Sequence, residues 1–278
     1  MPFTIDLAGR RALVTGGGQG IGRATARALA EAGASVVVND VMADRADGVA
    51  AEIRDTGRKA EAAAFDVTDR GAVRAAVDEL GGVDILVNNA GNAGTEGFGP
   101  LVPFADTDPH TWDRYLRVNL YGVMYCTHAA LPAMIARGDG RIVTVVSDAG
   151  RFGDAYLAPY AAAKAGAAGF CRSVAREVGR HGITVNCVSL GTVRTTAAVA
   201  VDGTDPDLDP DTDPDQPSRR GGHDDADEAM RRRLRRYIIR RPGEPADVAA
   251  MVAYLASPLA SWITGQTYPV NGGYTLSL

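Results

Sequence analysis

The sequence predicts a single α/β domain with a central parallel sheet covered by helices on both faces. Short β-branched runs alternate with amphipathic helical stretches, and the pairs repeat at the spacing of crossover connections. Size agrees. The chain has 278 residues, 46% hydrophobic and 23% charged, within the roughly 250–300 residues that one core can serve.

The first apolar run is Ala12-Leu13-Val14-Thr15, followed by a glycine cluster and a helical pattern through Ala32. Ser35-Val36-Val37-Val38-Asn39 is short and β-branched, as a strand buried on both faces should be. Helical patterns at about 43–57 and 69–80 flank a strand near Ala62–Phe65. Asp84–Asn88 and Arg141–Val146 supply the fourth and fifth strands, and Ile183–Val188 the sixth. Long helical stretches are expected at about 110–137 and 158–180. In such folds ligands bind beyond the carboxyl ends of the strands.

One segment breaks the alternation. Residues 202–228 carry eleven acids against two arginines, and 204–215 read TDPDLDPDTDPD. Proline at that density propagates neither a helix nor an inner strand, so this is a low-complexity insertion within the one domain, 1–278. Its alternating aspartates lack the turn glycine and terminal glutamate of an EF-hand; a solvated acidic loop is the reading preferred to a calcium loop. A helix is expected at about 227–239, where Met230, Leu234, Tyr237 and Ile238 share a face and arginines fill the rest.

Net charge is −5, which argues against nucleic acid as the main partner. No run approaches the ~20 apolar residues of a membrane span, and no secretory signal is visible at the N-terminus. Cys126, Cys171 and Cys187 are odd in number with no CxxC pair; neither a disulfide framework nor a metal site is expected, and the expected setting is cytoplasmic. Lys59 and Lys164 are the only lysines among 29 basic residues, which gives a lysine at a chemical position added weight.

Thr15-Gly16-Gly17-Gly18-Gln19-Gly20-Ile21-Gly22 follows a strand and opens a helix. Glycines allow the sharp turn and the close approach of a pyrophosphate, whose charge faces the helix N-terminus. Asp40 closes the second strand, placed to accept from both ribose hydroxyls of NAD and to repel the 2′-phosphate of NADP. Neither Gln19 nor Val41 offers a cation to offset that repulsion.

With these residues the chain resembles the short-chain dehydrogenase/reductase family, over about 1–200 and 240–278. The matching motifs are TGGGQGIG, Asp66-Val67, Asn88-Asn89-Ala90-Gly91, Asn119, Ser147, and Tyr160 with Lys164. The resemblance implies a Rossmann-type doubly wound fold. It implies adenine contacts for Asp66 and Val67, cofactor lining by Asn89, Ala90 and Gly91, and carboxamide contacts for Val193 and Thr195. It also implies a homotetramer resting partly on the two long helices, with 263–270 near another contact, and a mobile lid at 227–239. The family usually has Pro-Gly after the sixth strand; here it is Leu190-Gly191.

Tyr160 and Lys164 lie four apart on a helix and so share a face, while Ser147 ends a strand. A phenol has a pKa near ~10. A lysine cation ~4 Å away at an effective dielectric near 20 supplies the roughly 4 kcal/mol that brings it toward neutrality. Tyr160 is then the general acid/base, Ser147 stabilises the substrate oxygen, and Lys164 binds the ribose and holds the tyrosine down. By resemblance, Asn119 supports a water-mediated proton path. HExxH, GxSxG and GxxxxGK[ST] are absent, against zinc protease, hydrolase and P-loop chemistry. Phe152, Leu157, Val193 and the lid face predict a hydrophobic secondary alcohol or its ketone as substrate. A hydroxyacyl thioester gripped by the arginines at 231–241 is the alternative, and a catalytically idle NAD-binding regulator the remote one.

Overall fold

The computed structural model describes residues 4–91, 101–194 and 234–276. The insertion at 202–228, the first part of the lid and Thr195 lie outside the described residues. Seven strands form one parallel sheet: β1 (Arg11–Val14), β2 (Ser35–Asp40), β3 (Ala60–Ala64), β4 (Ile85–Asn88), β5 (Gly140–Ser147), β6 (Ile183–Leu190) and β7 (Thr267–Val270). Their order is β3-β2-β1-β4-β5-β6-β7. The chain builds outward from β1 to β3, then returns to lay β4 on the other side of β1. In open α/β sheets ligands bind in the crevice at such a reversal, beyond the carboxyl ends of the strands, here those of β1 and β4.

Alternate residues of each inner strand feed two cores. Val36 and Val38 of β2 face one side with Val14, Val87, Val143 and Val188, under α1 (Gly20–Glu31), α2 (Ala43–Asp55) and a helix at Pro245–Ala256. Val37 faces the other with Leu13, Leu86, Ile142 and Val185, under α3 (Arg70–Glu79), α5 (Gly122–Arg137) and α7 (Ala158–Val178). Burial on both faces explains why these strands read as unbroken apolar runs.

The helix expected over 110–137 is interrupted. α4 (Trp112–Leu116) passes through a π-turn at Arg117–Tyr121 before α5 begins. Asn119 sits in that turn, and its side-chain Nδ2 donates to the Tyr115 carbonyl at 2.9 Å. That carbonyl is the acceptor an α-helix would give to the Asn119 backbone amide, so the side chain competes with the ladder and widens the turn.

Among the described residues, β7, the helix at Pro245–Ala256 and the short α6 (Ala149–Phe152) had no counterpart in the sequence reading. β7 is short, half-exposed and contains Pro269, which is tolerated because β7 is an edge strand. The helix at Pro245–Ala256, α8, follows a capping box between Glu244 and Asp247 with proline at its start. The lid helix needs correction within the described residues. Helix ends at Leu234, and 235–239 run as turn and bend. The Ile239 amide donates to the Gly272 carbonyl at 2.8 Å, and this tie to a distant loop replaces the helical ladder. Only Tyr237 of the expected lid face is buried there; Ile238 is exposed. Among the described residues no helix is long and apolar enough to cross a membrane. Lys59, just ahead of β3, is exposed at the amino end of the sheet.

Candidate active site

The loops after β1 and β4 are tied together at the reversal. Thr15 Oγ1 accepts from the Asn89 and Ala90 amides at 3.0 and 3.1 Å, and Asn89 Nδ2 donates to the Thr15 and Gly16 carbonyls, each at 3.0 Å. Gly16 is left-handed (φ +61°), and a Cβ there would fall 2.9 Å from Ala90 Cα. A Cβ on Gly22 would fall 2.0 Å from the Gly16 oxygen, so turn and helix meet backbone to backbone. α1 starts at Gly20, and Gln19 makes no side-chain capping bond. The first amides of α1, which have no intrahelical partner, therefore stand ready for an anion. Ile21 packs against the core below. This backbone cradle fits a dinucleotide pyrophosphate.

Asp40 is buried at the carboxyl end of β2, its carboxylate accepting from the Gly18 amide at 3.2 Å and the Met42 amide at 3.0 Å. Asp66 is exposed beyond β3 and accepts from the Thr68 amide at 2.8 Å; Val67 is buried. Arg45 is carried beside Asp40: a Cβ on Gly18 would fall 2.6 Å from Arg45 Cβ and 2.7 Å from Asp40 Oδ2. A groove of about 330 Å³ beside Gly18, Gln19 and Gly20 is lined by Arg45 and by Arg23, the latter paired with Glu52 at 2.8 Å. Considering only positions 19 and 41 missed Arg45, which the first turn of α2 carries back toward Gly18.

On the other side of β4 the side chains converge. Ser147 ends β5, and Tyr160 and Lys164 lie one turn apart on α7. Ser147 hydrogen-bonds Tyr160 and its Oγ accepts from the Ala149 amide at 3.2 Å. Lys164 is 4% exposed, donates from Nζ to the Val145 carbonyl at 3.0 Å, and stands 5.7 Å from the Tyr160 ring centroid. A Cβ on Gly91 would fall 3.0 Å from Lys164 Nζ and 3.1 Å from Asn119 Oδ1. A side chain at position 91 would crowd both polar atoms above the end of β4. Ser147, Tyr160, Lys164, Asn119 and Gly91 are thus brought into one cluster, whereas Asp66 stands at the β3 edge. Val193 is buried in the loop after β6, bridged to Gly243.

Burial pushes the Tyr160 phenol up to about 12; the Ser147 hydrogen bond opposes this and Asp154 adds to it. Burial likewise pushes Lys164 down to about 8, against the raising influence of Cys187. Taking a phenolate or an ammonium out of water disfavours each charged form. For Tyr160 burial is the largest cause, and the lowering influence comes from Ser147, so the expected lowering of the tyrosine is not present in the protein alone.

Sequence reasoning also passed over Tyr115. Its ring meets Tyr160 edge-on at 6.5 Å, and with Leu157 and Ala149 it forms an apolar wall around the phenol. The four-residue interval from Tyr115 to Asn119 is the signal that could have found it. Phe152 is exposed nearby. The Leu190-Gly191 departure has a visible consequence: Leu190 is paired on both sides, with Ser147 and Val270. A Cβ on Gly191 would meet Asn271 and Tyr237 at 3.2 Å.

Comparison with known proteins completes this picture. Residues 10–205 match the family described as short chain dehydrogenase, and residues 219–275 the one described as Enoyl-(Acyl carrier protein) reductase. The chain is 40% identical to the cis-4-hydroxycyclohexanecarboxylate dehydrogenase of Sinomonas cyclohexanicum, over 96% of each chain. Among solved structures it superposes with TM-score 0.83 on a gluconate 5-dehydrogenase from Burkholderia cenocepacia in complex with NADP and tartrate (34% identity, 99% of this chain and 98% of that one). It superposes with TM-score 0.82 on a 7α-hydroxysteroid dehydrogenase complexed with NADH and 7-oxo glycochenodeoxycholic acid (34% identity, 97% and 96%).

Proposed function

The chain belongs to the short-chain dehydrogenase/reductase family, whose members bind a nicotinamide cofactor and act on CH–OH groups, and on that premise we propose an NAD-dependent enzyme that interconverts a hydrophobic secondary alcohol and its ketone. The observation carrying this reading is the convergence of Ser147, Tyr160, Lys164 and Asn119 over Gly91, beside the backbone cradle. A nicotinamide, when bound, supplies the hydride donor or acceptor and, oxidised, a positive charge.

The chain's own residues do the rest. Amides from Gly20 to Gly22 at the start of α1 hold the pyrophosphate. Asp40 accepts from the ribose hydroxyls; Asp66 and Val67 flank the adenine. Asn89, Ala90 and Gly91 line the cleft, and Val193 and Thr195 hold the carboxamide. Tyr160 keeps its proton in the protein alone, which suits it to protonate the oxygen of a ketone being reduced. For alcohol oxidation the phenol must come down, and a cation ~4 Å away offsets about 3 pKa units at an effective dielectric near 20. Ser147 donates to the reacting oxygen as negative charge develops there. Lys164 reaches the ribose, and Asn119 supports the water path to it.

The apolar wall of Tyr115 and Leu157 favours a hydrophobic substrate, and the hydroxycyclohexanecarboxylate relative acts on a hydroxyl of that kind by its name. Asp40 favours NAD, although Arg45 tempers the repulsion of a 2′-phosphate. A second reading, a hydroxyacyl thioester, is favoured by the Enoyl-(Acyl carrier protein) reductase match over 219–275. Fully exposed Trp262, with exposed Leu259 beside the β7 edge, supports assembly through this end of the sheet, with a homotetramer the form proposed. Light scattering showing a monomer across micromolar concentrations would contradict that. The central test follows NADH absorbance across secondary alcohols and acyl-CoAs with both nicotinamides. NADH binding without turnover of any of them would replace the enzyme with a regulator.

A further inference from the structure

Next to Ser147 lies a carboxylate that the mechanism above does not use. Asp148 is 3% exposed, and its side chain accepts four hydrogen bonds. Oδ1 accepts from Ser189 Oγ at 2.6 Å and Arg151 Nη1 at 3.2 Å; Oδ2 accepts from Asn271 Nδ2 at 2.6 Å and Thr275 Oγ1 at 3.0 Å. Its own amide donates to the Leu190 carbonyl at 3.0 Å. One buried residue therefore joins the end of β5, the end of β6 and the loop after β7. Four donors use the acceptor directions of a carboxylate, and since a carboxylate only accepts, the Asn271 amide nitrogen must face it.

The network bears on the site at two points. Asp148 begins the turn that aims the Ala149 amide at Ser147 Oγ, so the direction of the serine hydroxyl depends on how that turn is held. Beyond Asn271 the connection continues to the substrate side. Tyr274 stacks on Tyr237 at 4.9 Å, and the Tyr237 hydroxyl accepts from the Thr192 amide at 2.9 Å and donates to Thr192 Oγ1 at 2.8 Å. Thr192 precedes Val193, in the loop assigned to the carboxamide.

We propose that Asp148 is a positioning residue: through Ser189, Asn271 and Thr275 it holds the Ser147 turn in register with the loop after β6 and with the Tyr237 end of the lid segment. The proposal rests on the dehydrogenase reading for its kinetic consequence, but its geometric content stands apart from it. Asp148→Asn keeps the shape while placing an amide donor against the Asn271 amide. Asn271→Asp sets two carboxylates in contact.

Each single variant should lose kcat by about tenfold or more, since a misplacement of ~1 Å near the chemistry costs up to 10²-fold. NADH affinity should fall by less than kcat does, because the cradle and Asp40 lie across the reversal and only the carboxamide loop is loosened. The reciprocal variant, Asp148→Asn with Asn271→Asp, restores an amide–carboxylate pair and should recover most of kcat. Thr275→Val, which removes one donor of four, gives a milder loss in a chain that folds. Amide hydrogen exchange of 147–152 and 189–193 should rise in both single variants and return in the reciprocal one.

Lowered melting temperature with unchanged kcat in the folded protein would overturn the proposal, as would losses that multiply in the reciprocal variant. If the wild type turns over none of the substrates, the dehydrogenase reading fails while exchange still decides the network. Unchanged exchange at 147–152 then removes Asp148 from the positioning role.

Discussion

On the β1–β3 side of the strand reversal, the atoms facing the crevice are largely backbone amides in a glycine turn, with Asp40 at the margin. On the β4–β6 side they belong to buried side chains, among them a phenol and an ammonium. The first region presents polar groups that every peptide carries, and its sequence requirement is the absence of Cβ atoms at Gly16 and Gly22. The second holds ionisable groups against their preference for water, as the opposite shifts of Tyr160 and Lys164 record. On the proposed function, binding and chemistry are divided between a region that costs little to fold and one that works against folding.

The sharpest way to break this division is Tyr160→Phe. Loss of the exchangeable proton should lower kcat by ~10²–10⁴-fold while NADH titration by fluorescence stays nearly unchanged. Retained turnover would remove Tyr160 from the mechanism; lost NADH binding would show that the two regions are not separable.

Asp40→Ala probes the other side. It should raise kcat/KM with NADP relative to NAD by ~10-fold or more, the loss of one charge-assisted interaction being about 1.5–3 kcal/mol. Arg45 should enlarge that gain, so Asp40→Ala with Arg45→Ala should fall between wild type and the single variant. A wild type already equal with NADP would refute the Asp40 argument.

Lys164→Met tests the folding side of the comparison. In the folded chain the lysine sits near 8, against 10.5 in the unfolded one, so the unfolded chain binds the extra proton between those values. Stability should therefore rise with pH through that window, and the burden should be fully present below about pH 8. Replacing the lysine should stabilise the protein by ~1–3 kcal/mol at pH 7, after the lost bond to Val145 is counted. It should also slow turnover and shift the ascending limb of alcohol oxidation to higher pH. Urea titrations of both proteins at pH 7 and pH 10 measure the first effect, and an equal difference between variant and wild type at the two pH values would contradict the burial argument.

The smallest effect is expected at the insertion. Replacing 204–215 with a short Gly/Ser linker should leave kcat/KM within a few-fold, because loop-closure entropy changes by only ~0.6 kcal/mol per doubling of length. Abolished activity would assign the aspartates a direct role, with added calcium the next variable.

The same division governs what could be read in advance. The cradle was legible because its physics is local: Gly16 to Gly22 and the strand-end Asp40 carry their requirement within a few residues. Six strands were legible because burial on two faces leaves continuous apolar runs, and Tyr160 with Lys164 because helical spacing fixes their shared side. The π-turn at Asn119 was hidden, since one side-chain bond to the Tyr115 carbonyl decides it and leaves the hydrophobic period intact. Arg45 was hidden by looking only at neighbours in sequence. The Asp148 network spans 123 residues to Asn271, and no local pattern announces such a partner. The helical reading of the lid failed beyond Leu234 because the tie from Ile239 to Gly272 overrides an amphipathic period.

The scarcity of lysine has a practical consequence for handling the protein. Lys164 is enclosed beneath Tyr160, which leaves Lys59 as the exposed lysine, at the end of the sheet opposite the crevice. A carbodiimide- or succinimide-activated support should therefore capture side-chain amines at a single site. Molecules attached through Lys59 would share one orientation, with the crevice turned toward the passing solution.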